Sequence, residues 1–530
     1  MTGRRRAGLV PLERPSRYVA SFAFPPLTTH PHSRQRCLRP RRTRHSCFTL
    51  CSTHTPPPTR YRVFISTGEV SGDMHGAHLA RSLQRTLSPS VQLLLRGVGG
   101  PQMAAAGVEL YEDTQRISSI GVVEALRFVL PTLLLYERVK QRLLVDPPDA
   151  AVLIDYIGPN IALAQWLRTH LPGVPVLYYI GPQEWVWGYG GRPVPSSLDY
   201  FPQLRACCRC LLAVFPLEAE FYRRRLREAE AEEEKRRLSG GRSETDTPQQ
   251  PMRVEYVGHP IVDMVTPTTR DAARAQLGCS SDLQEYVVTL MAASREQELH
   301  TILPVMIEAA VLLHHTLRDA DGHPRVRFLL PVSRPEFRSH VQRLLRRHRI
   351  VTVSAKSLSP SPTASSDIHF HVLPSDQAML ALAAADVAMC KSGTVNLEAA
   401  ALGVPQVVLY RVSAASAWLI RRVLQVQLPY VSAVNIVHMR AAVVPELLQE
   451  QATPQRLFAA VHALLKNADG QAERMLRAYR EQVLPALQTP EATDMPGRSA
   501  AERAAHFLWR TLRDARTAAA AISSPPESVR

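Results

Sequence analysis

Long hydrophobic runs are missing from this chain. No stretch of its 530 residues approaches the roughly 18 uncharged apolar residues that a membrane-spanning helix requires, which excludes a helical integral membrane protein. Cysteine is scarce, with eight in the chain. Cys37, Cys47 and Cys51 lie near the N-terminus, Cys207, Cys208 and Cys210 cluster as CCRC, and Cys279 and Cys390 stand alone. A zinc site needs four ligands, commonly two separated pairs, and no second pair follows at suitable spacing. The cysteines therefore read as reduced structural thiols, with a redox role as the lesser alternative. Acid is nearly absent from residues 1–62, which hold 13 Arg, no Lys and one acid, Glu13. This segment carries +12 of the chain's +16, and the remaining 468 residues carry only +4. The charge that would read as a nucleic-acid footprint thus belongs to one end, and nucleic acid is not an expected partner.

What remains is ordinary for a globular chain: 45% apolar and 21% charged residues, which excludes wholesale disorder. The length suits two domains with appendages. The leader, residues 1–60, is rich in Arg, Ser, Thr and Pro and has no compact apolar core. That is the composition of a transit peptide for a plastid or a mitochondrion; a basic arm binding an anionic surface is the alternative.

From residue 61 short apolar runs alternate with helical patterns. YRVFIST (61–67), VQLLLRGVG (91–99), AAVLID (150–155), VPVLYYIG (174–181), CLLAVFP (210–216) and VEYVGHP (254–260) read as buried strands of a parallel sheet. Helices are expected over 74–87 and 160–170. The pattern restarts with VVTLMAAS (287–294), VRFLLPVS (326–333), FHVLP (370–374), ADVAMCKS (385–392) and VPQVVLYRV (404–412), with helices over 300–317 and 376–385. Two βαβ arrays in tandem predict an α/β chain of two doubly wound, Rossmann-like domains, 61–265 and 266–480, meeting at a cleft beyond the strands' carboxyl ends. A charge-dense insert (223–251), a Ser/Pro loop (355–367) and a fraying tail (518–530) interrupt or end the pattern. A helix over 499–516 has apolar residues at helical spacing and should pack on a domain.

Five places could carry chemistry. The turn Gly68-Glu69-Val70-Ser71-Gly72-Asp73 follows the first strand, where glycines admit a ligand and a helix N-terminus favours an anion; Asp73 reads equally as the N-cap of 74–87. Asp155 ends an apolar strand where it opens into the cleft, a position for a general base or for a plain loop acid. Ser392-Gly393-Thr394 is a small polar turn between strand and helix, suited to a diphosphate, and Glu398 beyond it could accept from a ribose diol or simply favour the helix start. Ser294-Arg295 places an arginine at a strand end, for a phosphate or a surface salt bridge. Finally, RFVLPTLLLYERVKQRLL (127–144) sets Phe128, Leu130, Leu133, Leu134 and Leu135 between Arg127 and the cations Arg138, Lys140 and Arg142. It could lie in a membrane interface or form a core helix.

The order of these motifs resembles lipid-A-disaccharide synthase over about 61–465. STGEVSGDMHGAHLARSL, PDAAVLIDYIGPN, LYYIGPQEWVWGYG, VGHPIVD, AASREQE, CKSGTVNLEAAALGVPQVVLYRVS and PYVSAVNIV carry the resemblance. PQEWVW looks most like the cyanobacterial branch, which tilts the expected address of the leader towards the plastid. The resemblance implies a GT-B fold whose C-terminal helices (481–517) return to the first domain. It implies an inverting transfer from UDP-2,3-diacylglucosamine to 2,3-diacylglucosamine 1-phosphate, without a cofactor or catalytic metal, at a membrane surface. Asp155 would be the base. Ser294, Arg295, Ser392, Gly393, Thr394, Glu398 and Asn435 would hold UDP. Gly68, Glu69, Ser71, Gly72, Asp73 and Asn160 would line the acceptor side. Two motifs depart from the family: LPGSR reads here MAASR, with Ala292 and Ala293, and IDAPDFN reads IDYIGPN, with Gly158 in place of the second acid. A UDP-sugar transferase with another acceptor and a non-catalytic glycolipid binder remain as rival readings. Monomer and homodimer are equally open.

Overall fold

A run such as Ala150–Ile154, apolar at every position, can be at home only where both faces of a sheet are covered. In the computed structural model every residue of that run is buried. The structure describes residues 59–523 apart from 88–90, 115–121, 240–250, 280–284, 293–294, 321–322, 324, 354–367, 414–415, 419–429, 489–494 and 496–497. The Ser/Pro loop expected at 355–367 and residues 1–58 of the leader lie outside the described residues; Thr59 and Arg60, assigned to the leader from sequence, already belong to the first strand.

The first sheet contains β1 (Thr59–Ser66), β2 (Val91–Gly99), β3 (Glu109–Asp113), β4 (Ala150–Ile154), β5 (Val176–Tyr179), β6 (Cys210–Ala213) and β7 (Arg253–Tyr256). Its order is β3-β2-β1-β4-β5-β6-β7, and every pairing is parallel. The order reverses between β1 and β4, which places a crevice beyond the ends of those two strands. The second sheet contains β8 (Tyr286–Met291), β9 (Val326–Pro331), β10 (Val351–Val353), β11 (His369–Leu373), β12 (Val387–Lys391), β13 (Gln406–Tyr410) and β14 (Glu446–Leu448). Its order is β10-β11-β9-β8-β12-β13-β14, again all parallel, so its switch lies between β8 and β12. This is the GT-B architecture of two Rossmann-like domains. The eleven strands read from the sequence all form. The three it passed over, β3, β10 and β14, are edge strands.

Helices cover the sheets. Those that bear on function are α1 (Val70–Thr86), α2 (Pro101–Ala105), α3 (Val122–Val145) and α4 (Ile157–His170). The charged segment 223–251 begins inside a single helix, Pro216–Leu238, whose distal half is exposed. The last helix, Ala500–Ser523, runs past the expected end at 516. It buries Ala501, Ala504, Ala505, Leu508 and Leu512. It sets Trp509 edge-on to Tyr61 of β1, 5.1 Å between ring centroids, and Arg503 Nε donates to Val257 O at 2.7 Å. The chain thus closes its first sheet with its final residues. Among the described residues no helix is long and apolar enough to cross a membrane.

Candidate active site

At the end of β4 the backbone turns sharply. Asp155 and Tyr156 both adopt left-handed conformations, φ 47° and 49°, which cost side-chain-bearing residues about 1 kcal/mol or more each. The neighbours hold the turn. Asn160, buried on α4, donates to Ile154 O (3.1 Å) and Asp155 O (2.8 Å), and the Tyr178 hydroxyl donates to the same Asp155 O (2.8 Å). Asn160 Oδ1 in turn accepts from Ser66 Oγ on β1 at 2.7 Å. The expectation that Asn160 lines the acceptor side is corrected: its amide is spent on the turn that presents Asp155. Gly68 has a similar role. A Cβ there would stand 2.0 Å from the Tyr156 ring, so the glycine makes room for an aromatic of the Asp155 turn.

The GEVSGD turn is mostly helix. α1 begins at Val70, four residues earlier than expected, with Glu69 as its N-cap. Ser71 lies half-buried in the first turn, and Gly72 backs onto Thr67, where a Cβ would come within 3.2 Å of the threonine's own. Asp73 does not cap its own helix. Wholly buried, it accepts from the N–H groups of Gly100, Gln102 and Met103 at 2.8–3.0 Å and so fixes the start of α2. Of this turn only Glu69 reaches across the chain: its carboxylate pairs with the Arg295 guanidinium, 226 residues away, beyond β8. Asp155 senses both. Burial, then the Glu69 charge, push its carboxyl up to about 7, against the pull of the Tyr156 N–H and Arg295. A Glu69–Arg295 pair drawn from the two domains thus lies within electrostatic reach of Asp155, an acid able to take a proton near neutral pH.

The second sheet presents a different arrangement. After β12, Ser392 Oγ donates to Val431 O (2.7 Å), and Gly393, at φ 149°, donates its N–H to Asn396 Oδ1 (3.0 Å). Asn396 continues to Lys391 O and Gln406 Oε1, and Gln406 to the Tyr479 hydroxyl. Thr394 opens the helix Val395–Ala401, its carbonyl accepting from Leu397 and Glu398. The amide of Gly393 is therefore engaged inside the chain. Glu398 stands on the helix, its carboxyl pushed by burial up to about 7 and drawn down by Lys391. Asn435 departs from the role the resemblance implies. It is buried, donates to Val444 O and Glu446 Oε1, and accepts from Val443 N and Val444 N, which saturates its amide. Ser294 lies outside the described residues.

Sequence reading missed Lys391 and Glu298. Lys391 Nζ lies 3.2 Å from Glu298 Oε1, while Glu298 Oε2 accepts from Arg295 N at 3.1 Å. Glu298 thus ties the Arg295 loop to the Ser392 turn. The signal for Lys391 was present: like Asp155, it is the one charge ending an apolar strand. A cavity of about 760 Å³ is lined by Asn435 with His438, Arg440, Arg474 and Glu481 among others, and of these the sequence reading singled out Asn435 alone. Among the described residues no three His, Cys, Asp or Glu side chains converge as a metal set would. Cys207, Cys208 and Cys210 are free thiols that burial pushes up, which disfavours the reactive thiolate.

α3 divides its leucines. Leu130, Leu133 and Leu134 are 65%, 58% and 54% exposed, whereas Leu135 is only 5% exposed and belongs to the core. Leu135 is thereby withdrawn from the expected membrane contact, and the side chain of Phe128 lies outside the described residues. The flanking cations are engaged: Arg138 with Glu112 (2.7 Å), Lys140 with Glu137 (2.6 Å), and Arg142 with Tyr111 O and the face of its ring.

Comparison with known proteins places the whole chain rather than its site. The family model described as lipid-A-disaccharide synthetase matches residues 63–228 and 248–495. The chain belongs to the lipid-A-disaccharide synthase family. The synthase of Synechocystis sp. is 40% identical over 423 residues, 79% of this chain and 92% of its own length. That of Gloeothece citriformis is 37% identical, covering 77% of this chain and 91% of its own length. That of Geobacter sulfurreducens is 32% identical, covering 76% and 87%. The break in the family match, 229–247, falls inside the charged insert. The solvated end of Pro216–Leu238 is thus an excursion from the lipid-A-disaccharide synthase framework, made where it disturbs no strand.

Proposed function

We propose that this chain transfers the sugar of UDP-2,3-diacylglucosamine to the 6-hydroxyl of 2,3-diacylglucosamine 1-phosphate, with inversion, giving a β(1→6) disaccharide 1-phosphate and UDP. The observation that supports the reading is the Glu69–Arg295 pair joining the two domains within electrostatic reach of Asp155, in a chain of this family. In the reaction the acceptor 6-hydroxyl gives its proton to the Asp155 carboxylate as its oxygen bonds to the anomeric carbon. The bond from that carbon to the β-phosphate oxygen breaks, and its electron pair leaves with UDP. Arg295 faces the charge that develops on the diphosphate, and its present partner Glu69 is the anion the diphosphate would replace. Glu398 accepts from the ribose diol. Incubating the full chain with both substrates and weighing the lipid product tests the reading. A tetraacyl disaccharide phosphate with release of UDP is expected, and equal turnover of soluble acceptors would replace the lipid by another acceptor class.

The acyl chains of both substrates keep them at a bilayer, and the exposed Leu130, Leu133 and Leu134 support a peripheral contact there. Replacing these three by Ser is expected to lower activity on vesicle-bound substrate and to spare activity on detergent-dispersed substrate; equal loss of both would return the stretch to the core. The ion pairs of Arg138 and Lys140 favour an apolar contact with weak salt dependence. The composition of the leader and the kinship with cyanobacterial synthases support delivery to an organelle, the plastid before the mitochondrion. A fluorescent fusion of residues 1–62 that stays diffuse in the cytosol would refute this.

A further inference from the structure

The strand beside β4 ends as β4 does. The register that sets Ile154 opposite Tyr179 continues one residue further, where the Asp155 N–H donates to Tyr179 O at 3.0 Å. Asp155 therefore lies level with Ile180, one strand spacing of about 4.8 Å away. Level residues of parallel strands carry their side chains to the same face. Both positions are left-handed, φ 47° and 62°. An isoleucine is ill suited to that conformation, because its branched Cβ crowds the backbone. Among the described residues Ile180 is the one β-branched residue so placed. The chain holds it there from both sides. The Ile180 N–H donates to Leu212 O on β6 (3.2 Å), the Gly181 N–H to Glu218 Oε1 (2.9 Å), and Pro182 O accepts from the Tyr222 hydroxyl (3.1 Å). The glycine that would sit there at ease stands one place later, where close approach demands it: a Cβ on Gly181 would lie 2.7 Å from Glu218 Oε1.

Strain kept beside a reactive group points to a use for the side chain that bears it. Ile180 is half-buried, packed on the core, and it sets hydrocarbon without a hydrogen-bonding group next to an acid. We propose that Ile180 is a specificity-determining residue that selects the acceptor over water, by keeping water from the place beside Asp155 where the acceptor hydroxyl is to lie. The proposal rests on the reading of Asp155 as the base given above. Water in that place would react as the 6-hydroxyl does. It would give a proton to the Asp155 carboxylate as its oxygen bonds to the anomeric carbon. The bond from that carbon to the β-phosphate oxygen would break, its electron pair leaving with UDP, and the products would be free diacylglucosamine and UDP. An ordered water needs two or more polar partners, and a branched hydrocarbon supplies none. A sugar brings its own C–H groups to pack against it.

The test follows UDP release by the full chain from detergent-dispersed UDP-2,3-diacylglucosamine, with and without 2,3-diacylglucosamine 1-phosphate. The wild type should release UDP rapidly only with the acceptor present. Ile180→Asn, whose side chain tolerates the left-handed conformation, should raise the ratio of hydrolysis to transfer about tenfold. Ile180→Gly carries the same expectation and serves if the former does not fold. Ile180→Val, which keeps the branched hydrocarbon, should hold the ratio near that of the wild type. Adding Asp155→Asn to Ile180→Asn should abolish the hydrolysis. An unchanged ratio in the Asn and Gly variants, a loss of transfer without a gain in hydrolysis, or hydrolysis that survives the change at Asp155 each overturns the proposal while leaving the transfer reaction in place. A wild-type chain that transfers no sugar overturns the reading beneath it as well.

Discussion

The two sheets end in opposite ways. Beyond β4, two residues with side chains sit in left-handed conformations and an acid is held close to neutrality. Beyond β12, the unusual backbone angle falls on Gly393, and the turn is bonded through Asn396, Gln406 and Tyr479 into the domain behind it. On the function proposed above, one topology would serve two purposes: a carboxylate that burial and a neighbouring charge hold near neutrality suits a base, whereas recognition profits from a turn already in its bound shape.

The difference is broken most directly at Asp155. Asp155→Asn should reduce turnover by about 10²–10⁴ and leave UDP affinity nearly intact; a variant above a tenth of the wild-type rate removes Asp155 from the mechanism. The same change should stabilise the fold at alkaline pH. Asp155 titrates at about 7 in the folded chain, against 3.8 ordinarily, so the folded state holds its proton more tightly. Stability is therefore lost as pH rises between those values, and Asn escapes the loss. Thermal unfolding at pH 8 should favour the variant by roughly 1–3 kcal/mol, and the two proteins should converge near pH 4.

On the other side, Arg295→Ala and Glu398→Ala should each weaken UDP binding by about 1.5–3 kcal/mol, and unchanged affinity in both moves the nucleotide elsewhere. The supporting asparagines sharpen the contrast. Asn160→Ala and Asn396→Ala should each cost about 1–3 kcal/mol of stability by stranding buried groups. Asn160→Ala should then lower turnover more than UDP affinity, and Asn396→Ala the reverse; parallel effects would mean the two turns do not divide the labour. The smallest effect is expected at Glu69. Its charge raises Asp155, so Glu69→Gln should shift the acid limb of the pH–rate profile to lower pH, by less than about one unit. A shift upward would mean that Glu69 acts chiefly by holding Arg295.

Central strands could be read from the sequence because burial on both faces leaves an unbroken apolar run. The edge strands ELYED, VTV and ELL have one open flank, are short, and two of them carry acids, so nothing separates them from loops. Asp155 was found because a charge ending an apolar strand is conspicuous. Asp73 drew attention through its place in a strand-to-helix turn, and Asn160 and Asn435 through the family resemblance; in the structure all three are bonded within the chain. A polar residue that must be fully bonded in the interior looks the same in sequence as one that awaits a ligand. The start of α1 was misplaced because Gly72 resembles loop punctuation, whereas the structure requires it for close approach to Thr67. Leu135 differs from Leu134 only by the 100° that one residue turns on a helix, and Pro131 blurred that phase.

The helix that closes the chain sets an order on its synthesis. β1 is among the first residues of the fold to emerge from a ribosome, yet Tyr61 waits for Trp509, and the Val257 carbonyl for Arg503. The second domain is complete before the first can be sealed, which reverses the usual sequence of folding from the N-terminus. Until that helix arrives, the first sheet has an open face, and a chain cut short near residue 495 should be a substrate for proteases before it is a catalyst.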